Sequence, residues 1–261
     1  MQFQQIRNAT TKVSYGGSTF LFDPMFTPKD GFPPIPGCAH PDLRWPTSEL
    51  PMPVAEIVAG VDAVIVTHCH IDHFDPAAVA ALDKALPVFA QDETDAATLR
   101  EAGFADVRVL ASAGTDFGGV TLYKTPCRHG EPEKAKPVFA AVGIRYEAMG
   151  VVLQAAGEPT LYMVGDSIWC PEVAETLARF KPAVAVVNAA RAETGGSGPI
   201  IMGLEDIAAL REAAPNMKIV ASHLDTVGHA TLCRADLRAW ARENAATEIL
   251  LVPEDGEILT F

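Results

Sequence analysis

Apolar and polar positions change rhythm along the chain. Within the first 23 residues they fall into short strand-like runs, 12–15 and 18–23. These flank Gly16-Gly17, a dipeptide suited to a two-residue hairpin turn. From Ala63 the rhythm becomes an alternation of strands and helices. The β-branched run 63–67 predicts a buried strand. Asp75-Pro76 then predicts an N-cap and first helical residue, with the helix reaching Leu86. Residues 88–90 predict a strand, 93–102 a helix closed by Gly103, and 107–110 another strand.

The middle of the chain returns to hairpins, with strands predicted at 120–125, 142–146, 150–154 and 160–164. Pro171 opens a helix to about Phe180, and 183–187 is a strand. Helices at 204–214 and 232–244 bracket a strand at 218–222. Each half thus runs from hairpins into strand–helix alternation, a pattern that fits two sheets packed face to face with helices outside. Residues 24–53 follow neither rhythm. They hold nine of the chain's twenty prolines, which lack an N–H and fix φ, so this stretch is expected to be a long ordered loop or lid. No linker or solenoid repeat divides the sequence, and residues 1–261 are read as one domain.

Composition narrows the partners. Thirty-three acidic against 20 basic residues give a net charge of −13, which argues against nucleic acid or an anionic membrane surface. The five cysteines are scattered and contain no C-x-x-C, so a reducing compartment is expected. The N-terminal residues show no basic run leading into an apolar core, and no stretch is long and apolar enough to span a bilayer. A soluble cytoplasmic protein acting on a small molecule is the expectation, with a homo-oligomer left open.

The chemistry concentrates where strand 63–67 ends, in His68-Cys69-His70-Ile71-Asp72-His73. In extended chain His68 and His70 share a face, while Asp72 and His73 turn toward a neighbouring position. That arrangement suits two metal ions in one cleft. A merely polar loop would leave three crowded imidazoles unpaired or mutually repelling.

H-x-H-x-D-H after a buried strand resembles the signature of the metallo-β-lactamase fold, and the resemblance extends over nearly the whole chain. Later strand ends match in order: His129 in Pro126-Cys127-Arg128-His129, Asp166 in Val164-Gly165-Asp166-Ser167, and His223 after 219–222. The resemblance implies a four-layer αββα sandwich of two mixed β-sheets with outer helices. It also implies that His68, His70 and His129 hold one ion, that Asp72, His73 and His223 hold a second, and that Asp166 bridges. The cofactor is then a pair of divalent metal ions, Zn2+ first, with Mn2+ or Fe2+ as alternatives. The implied activity is hydrolysis of a lactone, ester or phosphodiester by a hydroxide bridging the ions, with Asp72 and Asp166 as catalytic carboxylates. Within the superfamily the chain is similar to the L-ascorbate-6-phosphate lactonase branch. Di-iron redox members typically carry Glu where this chain has His70. A non-catalytic binding protein that keeps the site is the other alternative.

Fainter signals surround these. Cys69 and Cys127, each beside a ligand position, read as packed thiols. His229 is a candidate substrate contact or proton donor, or else a cap for a helix starting near Thr231. Asp225 could hydrogen-bond a ligating imidazole. Arg191, in a Gly-rich segment, is a candidate for holding an anionic group, and His40 and Trp45 in the lid either close over substrate or anchor the lid.

Overall fold

The computed structural model describes residues 1–261. In chain order its strands and helices are β1 (Gln2–Arg7), β2 (Thr10–Tyr15), β3 (Ser18–Phe22), α1 (Val54–Val58), β4 (Ala63–Ile65), α2 (Pro76–Ala81), β5 (Val88–Ala90), α3 (Glu93–Glu101) and β6 (Val107–Val109). The second half holds β7 (Thr115–Phe117), β8 (Val120–Pro126), α4 (Pro132–Ala141), β9 (Met149–Gln154), β10 (Leu161–Met163), α5 (Pro171–Phe180), β11 (Val184–Asn188), α6 (Leu204–Ala213), β12 (Lys218–Ser222), α7 (Arg234–Glu243), β13 (Leu250–Leu251) and β14 (Ile258–Thr260). No helix is long and apolar enough to cross a membrane.

Two seven-stranded sheets result, ordered β14-β1-β2-β3-β4-β5-β6 and β13-β12-β11-β10-β9-β8-β7. Both are mixed: hairpins supply the antiparallel half of each, and strand–helix alternation supplies the parallel half. Inward side chains of both sheets, among them Phe3, Phe20, Ile65 and Phe89 against Leu122, Leu153, Leu161 and Val186, form one buried cluster. The opposite face of the first sheet packs Leu21, Val64 and Val88 under Ile57, Ala78 and Leu99 of α1–α3. The opposite face of the second packs Tyr162, Ala185 and Ile219 under residues of α4–α7. The architecture is the four-layer αββα sandwich expected.

Strand direction decides where chemistry collects. Because β8 and β10 each lie antiparallel to β9, they run the same way, and β11 and β12 are parallel to them. By the same logic β1, β3, β4 and β5 share a direction in the first sheet. Each sheet therefore presents several C-terminal strand ends along one edge, the usual place for sites in such sheets.

Two sequence expectations fail locally. Residues 142–146 are not a strand: Val142 is the C-cap of α4, and the backbone is irregular from there to β9. Their apolar alternation has no neighbouring strand to pair with, and Val142 and Ile144 are left 66% and 42% exposed. Helix α2 stops at Ala81 rather than Leu86, with Leu82 already extended, and Pro87 disfavours helical backbone just before it. The proline-rich segment contains no regular element, only an isolated bridge between Phe32 and Trp45. It is pinned from below by the buried Arg7, whose guanidinium donates to the carbonyls of Ser48, Met25 and Thr27.

Candidate metal centre

All seven candidate ligands gather at these strand ends. His68 to His73 follow β4, His129 follows β8, Asp166 follows β10 and His223 follows β12. Every one is buried except the half-buried His70. Ligand atoms come within 4.8 Å of one another in three overlapping groups: His68, His70 and His129; His68, His73 and Asp166; and Asp72, His73 and His223. Asp166 lies between the two histidine sets. Its Oδ2 is 3.3 Å from His73 Nε2, 3.5 Å from His129 Nε2 and 3.8 Å from His68 Nε2. Its Oδ1 accepts from Asn188 Nδ2 at 2.6 Å, which fixes the carboxylate's direction.

The local backbone explains that aim. Gly165 has φ +73, and a Cβ there would lie 2.4 Å from the Met149 carbonyl, so only glycine can make the turn that brings Asp166 inward. His223 has φ +60, a left-handed conformation uncommon for histidine, and is held by its N–H donating to the Asn8 carbonyl at 3.0 Å.

Outer groups fix the rings. Asp23 accepts from Thr67 N and Thr67 Oγ1, each at 2.7 Å, and its Oδ2 lies 2.9 Å from His73 Nδ1. His129 Nδ1 donates to the Ile200 carbonyl at 2.8 Å and His70 Nε2 to the Arg145 carbonyl at 2.7 Å. A carbonyl only accepts, so the remaining nitrogen of each ring keeps its lone pair for the cluster. Asn8 Nδ2 donates to the Asp72 carbonyl at 2.8 Å. Sequence reasoning missed Asp23, Asn8 and Asn188 in these roles. The available signal was position: each is a polar residue closing or following a strand whose C-terminal end lies at the ligand-bearing edge.

Buried charge sets a strong field. Burial, reinforced by the neighbouring His73 and His70, holds His68 well below its ordinary value, and burial pushes His70 and His229 each down to about 4. His129 is lowered by burial too. Burial alone would raise Asp72 and Asp166. The His223 hydrogen bond at Asp72, and the positive charge of His73 at Asp166, outweigh it and keep both carboxyls well below the usual range. His73 goes the other way, held well above its ordinary value because Asp166 and Asp23 overcome burial. The centre thus draws positive charge inward while most of its imidazoles stay neutral.

That combination fits metal ions. His68 Nε2 and His223 Nδ1 are buried without a hydrogen-bond partner. Orphaned buried nitrogens cost about 1–3 kcal/mol each, and a divalent cation satisfies several at once.

The fainter candidates separate. His229 Nε2 lies 3.7 Å from Asp72 Oδ2, which brings it into the cluster, and α7 starts too late for it to be a cap. Trp45 is buried against Phe32, with ring centroids 4.3 Å apart, and anchors the lid. His40 is exposed; its backbone N–H, not its ring, ties it to Gly228. Arg191 pairs with Glu193 and rests on Gly203. Asp225 faces Arg234 at 2.9 Å, so it orients no imidazole. Cys127 Sγ donates to the Val164 carbonyl, and burial pushes both its thiol and that of Cys69 upward, so both stay protonated.

Known proteins resemble this chain in sequence and fold. Residues 18–224 match the family described as the beta-lactamase superfamily domain. The UPF0173 protein YddR of Bacillus subtilis is 38% identical over 261 residues, covering 100% of both chains. An isothiocyanate hydrolase from Delia radicum gut bacteria is 40% identical with a TM-score of 0.94, covering 100% of this chain and 99% of the other. A possible metal-dependent hydrolase from Veillonella parvula is also 40% identical, with a TM-score of 0.96 and the same coverage.

Proposed function

The chain belongs to the beta-lactamase superfamily domain family and is a metal-dependent hydrolase, and on that premise we propose that it holds two divalent cations and adds water to an electrophilic carbon of a small neutral molecule. The observation that carries this reading is the convergence of three imidazole nitrogens on Asp166 Oδ2, with a second donor set at Asp72, His73 and His223. His68, His70 and His129 would hold one cation, Asp72, His73 and His223 the other, and Asp166 would serve both. The donors suit zinc or manganese, with iron as a further occupant.

Cations held there supply Lewis acidity, making water nucleophilic near neutral pH and polarising the bond under attack. The protein's own groups do the rest. Asp72, kept ionised, orients the attacking water and carries its proton from Oδ2 toward the leaving atom. His229 Nε2 at 3.7 Å is the next group on that path and, being neutral at pH 7, offers a hydrogen bond rather than a charge.

Neutrality of the substrate rests on the arginines. Arg128 beside His129 is bound by Glu172, Arg145 by Asp92 and Asp95, and Arg191 by Glu193. None is left free to hold a phosphate, which weakens the phosphodiester and phosphorylated-lactone readings. The 40% identical isothiocyanate hydrolase suggests the R–N=C=S group as first substrate. Water oxygen would bond to the central carbon, giving a thiocarbamic acid with one water hydrogen on nitrogen and the other on sulfur. Passage of the second hydrogen to nitrogen as the C–N bond breaks releases an amine and carbonyl sulfide.

A panel of aryl and alkyl isothiocyanates, lactones, esters and phosphodiesters tests the proposal. Isothiocyanates are expected to turn over fastest, and Asp166→Ala to lower kcat/KM by at least about a hundredfold with the circular dichroism spectrum unchanged. A phosphodiester turned over best, or full activity in Asp166→Ala, would overturn it.

A further inference from the structure

We propose that Arg145 is a positioning residue for His70, acting through its main-chain carbonyl; the inference rests on the metal-centre reading above. His70 Nε2 donates to that carbonyl at 2.7 Å, which leaves Nδ1 as the nitrogen available to His68 and His129. His70 is also the least buried of its set, so packing alone constrains its ring least.

The carbonyl itself belongs to an irregular stretch between α4 and β9, where no ladder fixes the backbone. The Arg145 side chain supplies the fixing. Its Nη2 donates to Asp92 Oδ2 at 2.7 Å and its Nη1 to Asp92 Oδ1 at 3.1 Å, a paired contact of the strong, directional kind. Nη1 also donates to Asp95, whose carboxylate is only 3% exposed. Gln91 Nε2 closes the structure by donating to Asp95 at 2.7 Å and to the Glu147 carbonyl at 2.8 Å. Asp92 is the N-cap of α3 and Asp95 stands in its first turn, and α3 is seated on the first sheet by the buried Ala96 and Leu99. A rigid path thus leads from α3 through the guanidinium and the carbonyl of Arg145 to the imidazole. Outer groups of this kind typically change metal affinity by about 10–100-fold when removed.

The test binds cobalt(II) to metal-free full-length protein in two backgrounds, reading its visible band in competition with a chelator. His223→Ala leaves the His68, His70 and His129 set, and His129→Ala leaves the Asp72, His73 and His223 set. Arg145→Ala is expected to weaken cobalt binding about 10–100-fold in the first background and less than about threefold in the second, with Arg145→Lys recovering part of the loss. Glu93→Gln, exposed on α3 and paired with Arg100 rather than Arg145, should change neither. If Arg145→Ala does not fold, Asp92→Asn takes its place with a smaller shift in the same background alone. Equal weakening in both backgrounds would mean a purely structural role, and no weakening in the first would mean no role; either overturns the inference. Cobalt absent from both backgrounds without Arg145 substitution would instead overturn the metal-centre reading beneath it.

Discussion

Asp23 joins three groups with one carboxylate: the Thr67 amide, the Thr67 hydroxyl and the His73 ring. Replacing it by Ala leaves the buried Thr67 donors and the imidazole without partners. Asp23→Ala is therefore expected to lower stability by about 1–3 kcal/mol in denaturant titrations. Metal affinity should fall about 10–100-fold in the same variant, measured by chelator competition. An unchanged affinity would show that His73 is oriented by packing alone. The contrast with the ligands shows what a sequence displays at this scale. Three histidines and an aspartate in six residues cannot be overlooked, and His129, Asp166 and His223 follow once strand ends are searched. Asp23, Asn8 and Asn188 are ordinary residues in ordinary places, and their roles come from neighbours distant in sequence. Asn8 holds Asp72 from 64 residues away. Trp45 and Arg191 illustrate the converse, since a suggestive residue type in a suggestive loop turned out to be held by Phe32 in one case and Glu193 in the other.

At the scale of elements, the strand–helix alternation was legible because burial on both faces writes continuous β-branched runs. The stretch 142–146 misled because its alternation is the same as a strand's, and only the absence of a pairing neighbour tells them apart. Helix α4 went unread because Pro132 and Pro137 look like breakers, although Pro132 sits at a first-turn position where proline is tolerated. The turn after β10 carries a sharper test. Gly165→Ala combines positive φ with a Cβ 2.4 Å from a backbone carbonyl, whereas Gly17→Ala has φ +85 with nothing within 4 Å. The first should cost about 3 kcal/mol or more and also depress turnover by misdirecting Asp166. The second should cost about 1 kcal/mol from backbone strain alone. Thermal melts and a rate assay on the two variants decide this, and equal melting temperatures would contradict the account of the turn.

For the whole molecule, the centre joins the two sheets. His68 to His73 come from the first sheet, and His129, Asp166 and His223 from the second, so bound cations would cross-link the sandwich. Anything that binds the native state tightly stabilises it by mass action, about 4 kcal/mol when the free ion is a thousandfold above its Kd. For a chain of this size that corresponds to a melting-temperature loss of roughly 10 °C on exhaustive chelation, restored by adding back zinc or manganese. An unchanged melt after verified metal removal would mean that the site does not tie the sheets together. The net charge of −13 was informative about partners yet silent about this centre, where a local excess of imidazole surrounds two carboxylates.

The most direct test of the central claim is the number of metal atoms per chain, measured by plasma mass spectrometry on protein supplied with zinc and manganese and then freed of loosely bound ions. The account predicts about two divalent cations per wild-type chain and fewer in His68→Ala and Asp166→Ala. A wild-type value near zero, or one equal to that of both variants, would contradict it.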